Sequence, residues 1–528
     1  MFGDRTVTYG EFAAYVNTTA RQLISAGVGP DTAVGLSFGR GVEMAVAIHA
    51  VLVAGGQFVP VAPDAPEDRA AYICDTAAVS LMLSDDVDRK RIPGIETLVI
   101  DCTQLAGTGA DIRQIADSER LGTLTPENAA YTLFTSGSTG RPKGVTVSQR
   151  ALLAQVNADR DHYGLTADDV FVQMLEYTFD PAVLEFMRPA LLGAPLIMLA
   201  PGTNRDPQAI ADIIATHRVT AAMIAPVMLA AMIETLGSHT EWSATLAKVS
   251  TGGEAVPPAV AAAVASAWPS AGLHNQYGPT ETTIYSTIHD YDPATGRIAI
   301  GKPVAGIRAY VLDDRLGLVP DGVAGELYLG GDQVARGYSS QTVTTAERFV
   351  ADPFGPAGSR LYRTGDTVRW SGGLLEYLGR KDFQIKLRGQ RIELGEIETV
   401  LVSAPGVRYA AAAVASTETG AQHLVAYVSG SSLDMEAVKT VASEKLAAFM
   451  VPTVWNELAE IPLNSSGKVD RKALPAPDFG AASAYVAPLG AVEELLASVI
   501  AGLLHVERVS VTESFFALGG DSIMSIQL

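Results

Sequence analysis

From Thr8 to about Leu375, short apolar β-branched runs alternate with alanine-rich stretches of helical period, and this alternation narrows the possible folds more than any other feature. Thr97 to Ile100 (TLVI) and Pro195 to Leu199 (PLIML) read as buried strands, and Pro257 to Trp268 (PPAVAAAVASAW) as a helix. An apolar strand needs cover on both faces and interleaved helices supply it, so the pattern predicts layered α/β sheets. With 48% hydrophobic and 18% charged residues, the chain has the apolar surface for sizeable cores and is not disordered in composition. Its 528 residues correspond to about three to four domains or one large two-part enzyme.

Glycine punctuation at Gly325 to Gly331 (GELYLGG) and Ser371 to Gly379 (SGGLLEYLG) predicts a β-rich segment. The charge-dense Gly379 to Glu398 then opens a smaller α+β unit. Leu474 to Pro488, rich in proline, alanine and glycine, reads as a linker. After it, Ala491 to Leu504 places Val492, Leu495, Leu496, Val499, Ile500 and Leu503 on one helical face. The expected organisation is therefore a large unit over 1–381, a small α+β unit over 382–475, a linker over 476–488 and a helical piece over 489–528.

The formal charge of −20 repels polyanions, so nucleic acid is excluded as a partner and any bound phosphate must be held locally. Cys74 and Cys102 are the only cysteines, too few for a disulfide framework and compatible with a reducing cytosol. Asp4 and Arg5 stand where an export signal would begin its apolar run. The most apolar stretch, Ala45 to Val61, is broken by His49, Gly55, Gly56 and Gln57, short of the roughly 18 residues that span a bilayer. A soluble, cytoplasmic protein with no membrane partner is expected.

Tyr131 to Gly144 (YTLFTSGSTGRPKG) runs from an apolar strand into hydroxyls and glycines and then a lysine. Glycine lets backbone approach an anion, and hydroxyl and N–H groups donate to it. The spacing is not GxxxxGK[ST], so this is no Walker loop, and in isolation such a segment is as readily a surface turn. The whole string resembles the phosphate loop of the adenylate-forming superfamily, and more closely that of nonribosomal peptide synthetase adenylation domains. Further resemblances follow in the family's order: VTYGEF, VLVAGGQFVPVAP, FDPAVLEF, NQYGPTETT, GELYLGGDQVARGY, YRTGDTVRW, GRKDFQIKLRGQRIELGEIE and NSSGKVDRKAL.

The resemblance implies an adenylate-forming α/β domain with a small α+β C-terminal subdomain, then the start of a helical peptidyl carrier domain. It implies ATP-dependent, AMP-forming ligation, with ATP bound by Thr135, Ser136, Gly137, Ser138, Thr139, Gly140, Lys143, Gly253, Glu254, Asn275, Tyr277 and Gly278. Among these Tyr277 would stack on or flank the adenine, and Asp366 would accept from both ribose hydroxyls, assisted by Tyr377 and Arg380. Glu281 would bind Mg2+, Thr280 would donate to the α-phosphate, and Lys468 would bridge the substrate carboxylate and the nucleotide in the transition state. Taken alone, Asp366 after a glycine is equally a turn residue, and Lys468 in a glycine-serine loop would be solvated. Asp382 would be the pivot of the small subdomain, with Gly389 allowing its close approach.

In the same family an aspartate meets the substrate's α-ammonium, and Asp180 after Phe179 stands at that position, although it could equally be a helix N-cap before Pro181. The other implied pocket residues are Pro181, Leu184, Met223, Ser250, Gly252, Gln276, Ile284 and Tyr285. Gly252 and Leu184 leave room. The polar groups of Ser250, Gln276 and Tyr285 would each cost about 1–3 kcal/mol if buried unpaired, so a sizeable side chain with a polar end is expected, tyrosine or a hydroxylated relative first, with glutamine or another medium polar amino acid as the alternative. Met223 is equally a core residue. Ser522 in GGDS resembles the serine that carries 4'-phosphopantetheine, and the chain ends six residues later, short of the helical turns that complete a carrier. The implied partners are the amino acid, ATP, a carrier in cis and a small MbtH-like helper. Two other readings stand beside this one: an acyl- or aryl-CoA ligase of the same fold, and a catalytically silent scaffold.

Overall fold

A computed structural model of the protein describes residues 1–86, 92–105, 112–137, 141–237, 241–382, 384–387, 390–416, 422–462, 469–477, 486–504, 508–512 and 515. These fall into two compact units: Met1–Thr135 with Pro142–Asp382, and Ser136–Arg141 with Phe383–Leu528.

The larger unit is built on three sheets. In the first, strands run in the order Gly337–Tyr338, Lys143–Ser148, Ala129–Thr135, Gln57–Pro60, Ala33–Ser37, Val79–Ser84, Glu96–Val99. From Ala129–Thr135 to Glu96–Val99 the pairs are parallel, and the other two are antiparallel. The second runs Lys302–Pro303, Thr287–Asp290, Gly272–Tyr277, Lys248–Gly252, Ala221–Met223, Phe171–Gln173, Leu196–Met198. Its pairs from Gly272–Tyr277 onward are parallel, and an antiparallel edge follows the strand Gly272–Tyr277. The third is antiparallel: Ile307–Leu312, Gly325–Gly331, Arg360–Ser371 and Phe349–Ala351, with Leu374–Arg380 also on Arg360–Ser371.

The apolar stretch that is too short for a membrane is accounted for locally. It forms the buried helix Val42–Ala54, ends on Gly55 at φ 96°, and enters the strand Gln57–Pro60. A Cβ on Gly56 would lie 3.0 Å from the Thr32 carbonyl, so the helix-to-strand turn needs glycine twice, once for conformation and once for space. The strand Ala129–Thr135 carries Tyr131 into the same core, stacked on Phe58 with ring centroids 5.4 Å apart. Among the described residues no helix is long and apolar enough to cross a membrane.

The smaller unit has a hairpin, Gln384–Leu387 with Gln390–Glu393, and a sheet of Val407–Ser416, Gln422–Gly430 and Val454–Glu457. Its helices Leu394–Val402 and Met435–Lys445 close a core on Ile392, Ile397, Leu401, Ala426, Val438 and Met450. The helix Ala491–Leu504 forms where its period predicts it.

Candidate active site

Parallel strands of an open α/β sheet place their carboxyl ends, and the loops after them, at one edge, which is where such sheets bind ligands. Lys248–Gly252 and Gly272–Tyr277 pair in parallel, bringing Gly253 and Glu254 to the same edge as the turn that follows Tyr277. Gly253 has φ 83°, and Glu254 accepts from the Val227 N–H at 3.3 Å. Asn275 donates to the Ala299 carbonyl at 2.7 Å.

The turn after Tyr277 is tight. A Cβ on Gly278 would lie 2.4 Å from Tyr285 Cα, so only glycine fits there. Thr280 to Thr282 then form one 3-10 turn with Glu281 fully buried, and Thr283 and Ile284 follow with φ of 62° and 76°. Two successive β-branched residues in the left-handed region cost about 1–3 kcal/mol each, and such strain gathers where a site must be held to one shape. Thr282 and Thr283 bond within the fold, to Ser286 and to the Gln333 carbonyl. Thr280 is half-buried.

Lys143 opens the strand Lys143–Ser148 and is buried, with Nζ 5.8 Å from the centre of the Tyr338 ring. Tyr338 reaches this place because Gly337–Tyr338 pairs with Thr146 and Val145, and its hydroxyl donates to Glu281 Oε1 at 2.7 Å. One tyrosine thus joins the lysine of the glycine-serine segment to the carboxylate of the 3-10 turn. Tyr338 belongs to a motif noted in the sequence, GELYLGGDQVARGY, but cross-strand pairing alone gives it this role, and no local pattern reports that pairing. Among the described residues the buried Thr135 hydroxyl has no hydrogen-bond partner, a donor left at the start of the segment. Ser136 and Gly137 fall in the smaller unit, where Ser136 Oγ donates to the Arg391 carbonyl at 2.8 Å and the Gly137 N–H donates to Glu396 Oε2 at 3.0 Å.

Asp366 lies after Gly365, which has φ 78°, and directly across the ladder from Arg380. Arg380 Nη1 donates to Asp366 Oδ1 at 2.6 Å, and Arg380 Nε and Nη2 donate to the two oxygens of Asp382 at 2.6 and 2.8 Å. The Tyr277 hydroxyl donates to Asp366 Oδ2. Burial, and after it the Asp366 charge, hold the Tyr277 phenol protonated well past its usual range, so it remains a donor. Tyr377 lies beside it with ring centroids 6.4 Å apart, exposed on one face and pushed up to about 12 by burial and Asp366. Tyr277, Asp366, Tyr377 and Arg380 are therefore one cluster, and Asp382 is tied to it.

Asp180 is the first residue of the helix Asp180–Leu192, whose N-cap is Phe179 without a side-chain capping bond, so the aspartate does not serve as the N-cap. Pro181 follows it in the first turn. The fully buried Tyr131 phenol is raised by burial and then by the Asp180 charge. Leu184, Met223, Ile284 and Tyr285 all join the main core.

Two expectations about the pocket are corrected. A Cβ on Gly252 would lie 2.3 Å from the Gln276 carbonyl, so glycine is required there by the neighbouring strand and is not a sign of room for a substrate. Nor do all three polar groups await a ligand. Gln276 Nε2 donates to the Tyr163 hydroxyl at 2.9 Å, and the Tyr285 hydroxyl donates to Asp159 Oδ1 at 2.5 Å. Asp159 is in turn held by a two-pronged bond from Arg188, at 2.5 and 2.6 Å. Among the described residues Ser250 Oγ has only the Ala222 carbonyl, at 3.5 Å. Asp159, Tyr163 and Arg188 were not singled out in the sequence, where they sit in ordinary amphipathic helices. Ser138, Thr139, Gly140, Gly389, Lys468 and Ser522 lie outside the described residues.

Comparison with known proteins gives three family-model matches: AMP-binding enzyme over residues 1–339, AMP-binding enzyme C-terminal domain over 396–468, and phosphopantetheine attachment site over 494–528. Surfactin synthase subunit 1 of Bacillus subtilis (strain 168) is 38% identical over 532 residues, covering 100% of this chain and 14% of that protein. Enterobactin synthase component F of Escherichia coli (strain K12) is 38% identical over 547 residues, covering 99% and 41%. The chain thus spans well under half the length of these relatives. Among solved structures, a four-domain nonribosomal peptide synthetase bound to AMP and glycine is similar with a TM-score of 0.65 and 31% identity, over 99% of this chain and 38% of that one.

Proposed function

The chain belongs to the AMP-binding enzyme family, and on that premise we propose that it activates an amino acid as its aminoacyl adenylate with release of pyrophosphate. The aminoacyl group then passes to a phosphopantetheine thiol on a carrier segment of the same chain, in nonribosomal peptide or related secondary-metabolite biosynthesis. The observation that carries the reading is the meeting of Asp366, Tyr277, Tyr377 and Arg380 from three different strands.

A carboxylate has four lone-pair directions, so Asp366 retains acceptor capacity for ribose hydroxyls after bonding to Tyr277 and Arg380. Tyr377 offers an open aromatic face for adenine. In adenylation the substrate carboxylate attacks the α-phosphorus and pyrophosphate leaves, so both partners are anions and the site must neutralise charge rather than remove a proton. Lys143 supplies a buried cation, Thr280 a hydroxyl and Thr135 another, unpartnered among the described residues. Lys468 is assigned the bridging contact on its NSSGKVDRK motif. Glu281, a buried carboxylate beside Thr280, suits a hard oxygen-seeking cation and would hold Mg2+, which when bound spreads the charge of the triphosphate. Ser522 would carry the phosphopantetheine, whose thiol supplies the acyl acceptor; this step rests on GGDS and on the attachment-site match over 494–528.

Asp180 at the mouth of its helix supports an α-amino acid over a plain carboxylic acid, through a charge-assisted bond to the α-ammonium. Gln276 and Tyr285 are bonded inside the fold, so of the three polar groups Ser250 alone supports tyrosine as the substrate. Asp382, held by the same arginine as Asp366, remains the proposed pivot. We also propose a cytoplasmic location and an MbtH-like helper as partner.

The test is exchange of labelled pyrophosphate into ATP across the proteinogenic amino acids plus hydroxylated and aromatic variants, with and without a co-expressed helper. One strong amino acid responder is expected. Response to non-amino carboxylic acids alone would replace this reading with a CoA ligase, and silence under both conditions would leave a scaffold.

A further inference from the structure

We propose that His162, His274 and Asp290 form a site for a divalent first-row transition ion, with Zn2+ the ion that suits it best. Among the described residues this is the one group of three histidine, cysteine or carboxylate side chains whose ligand atoms converge, all within 4.8 Å of one another.

The backbone arranges this convergence. His274 and Asp290 are directly opposed on the antiparallel strands Gly272–Tyr277 and Thr287–Asp290, and His162 comes from the last turn of the helix Gln149–Tyr163. His274 Nδ1 lies 2.6 Å and His162 Nε2 lies 3.1 Å from the same oxygen, Asp290 Oδ1. The rings are braced as well. Tyr163 packs edge-on against both imidazoles, with ring centroids 4.8 Å away in each case. A Cβ on Gly272 would lie 2.8 Å from His274 Nε2, so the glycine two residues earlier leaves the space that ring occupies.

Zinc binds imidazole nitrogen and carboxylate oxygen at about 2.0–2.2 Å, which sets neighbouring ligand atoms roughly 3.3–3.5 Å apart. Small side-chain rotations bring three atoms already within 4.8 Å to that spacing. Two nitrogens and one oxygen favour a borderline transition ion over Mg2+, which selects oxygen ligands. Side-chain exposures of 29% for His162, 17% for His274 and 64% for Asp290 leave an entry path and open positions for water. A chain of charge −20 also draws cations toward its surface. A bound ion would clip the end of the helix to the strand pair, beside the Tyr163–Gln276 hydrogen bond.

The test uses tag-free full chain stripped with chelator and free of nucleotide, so it does not depend on adenylation. Titration with Co2+ should give visible ligand-field absorption saturating at one equivalent, displaced by Zn2+ and unaffected by Mg2+. Zn2+ should also raise the thermal midpoint. Loss of a mere outer partner of a ligand typically costs about 10–100-fold in affinity, so His162→Ala and Asp290→Asn should each weaken Zn2+ binding by at least that range. His162 is at the surface, and its alanine variant should fold normally. Absence of saturable binding, or equal affinity in both variants and the parent chain, overturns the proposal.

Discussion

Tyr338 performs two tasks with two parts of one side chain: its ring faces Lys143 and its hydroxyl donates to Glu281. Tyr338→Phe keeps the first and removes the second, so the amino acid–dependent exchange rate should fall about tenfold with a raised Mg2+ requirement, alongside a stability loss of about 1–3 kcal/mol from the buried carboxylate's lost donor; an unchanged Mg2+ dependence would remove the hydroxyl from the site. Glu185 provides a second test at this scale. It is fully buried and burial raises it from 4.5 to about 7, against the backbone N–H groups of Leu175 and Met174 and the charge of Arg40. The folded chain thus holds this proton more tightly than the unfolded chain. The resulting contribution, roughly 3 kcal/mol, is fully present below about pH 4.5 and is lost as pH rises through about 7. Glu185→Gln should therefore gain thermal midpoint relative to the parent chain between about pH 5 and pH 8, and a constant difference would show that Glu185 titrates normally.

Between elements, the buried pair Asp159–Arg188 joins the helices Gln149–Tyr163 and Asp180–Leu192. Removing one partner strands a buried charge, so Arg188→Ala should cost about 3–5 kcal/mol in chemical denaturation. By contrast Thr8→Ala, which dismantles the capping box of the helix Tyr9–Ser25, should cost about 1 kcal/mol. The difference between these two contacts is also the difference between what is and is not legible in the sequence. Thr8 and Glu11 stand three residues apart, and local spacing announces their bond. The same is true of the helix Pro258–Ala267 and the strand Gly325–Gly331, which form where their periods place them. Arg188 and Tyr285 reach Asp159 across 29 and 126 residues, and nothing local records either partner. The site divides the same way. Motif residues such as Asp366 and Glu281 were named from their segments, but the internal use of the Gln276 amide and the bridging place of Tyr338 depend on strands that meet only after folding.

For the molecule as a whole, a ligand that binds only the folded chain stabilises all of it. ATP with Mg2+ at 100 times its dissociation constant should add about 2.7 kcal/mol, seen as a higher thermal midpoint, and Asp366→Ala should abolish the rise at the same concentration. A rise that survived in that variant would place the ribose elsewhere. The chain's acidity sets a background for this, since in the proposed reaction ATP and pyrophosphate would meet a molecule of charge −20 and would rely on local donors to overcome it. The Asp159 network has a consequence for how such a chain can change its choice of acid. Because Tyr285 and Arg188 share one buried carboxylate, substituting Tyr285 alone to reshape the proposed pocket removes a donor from a charge that cannot reach water. Variants with a new specificity should therefore arise through linked replacements at 159, 188 and 285, or through neighbours such as Ser250 that stand outside the network, and drift at the linked positions should be slow.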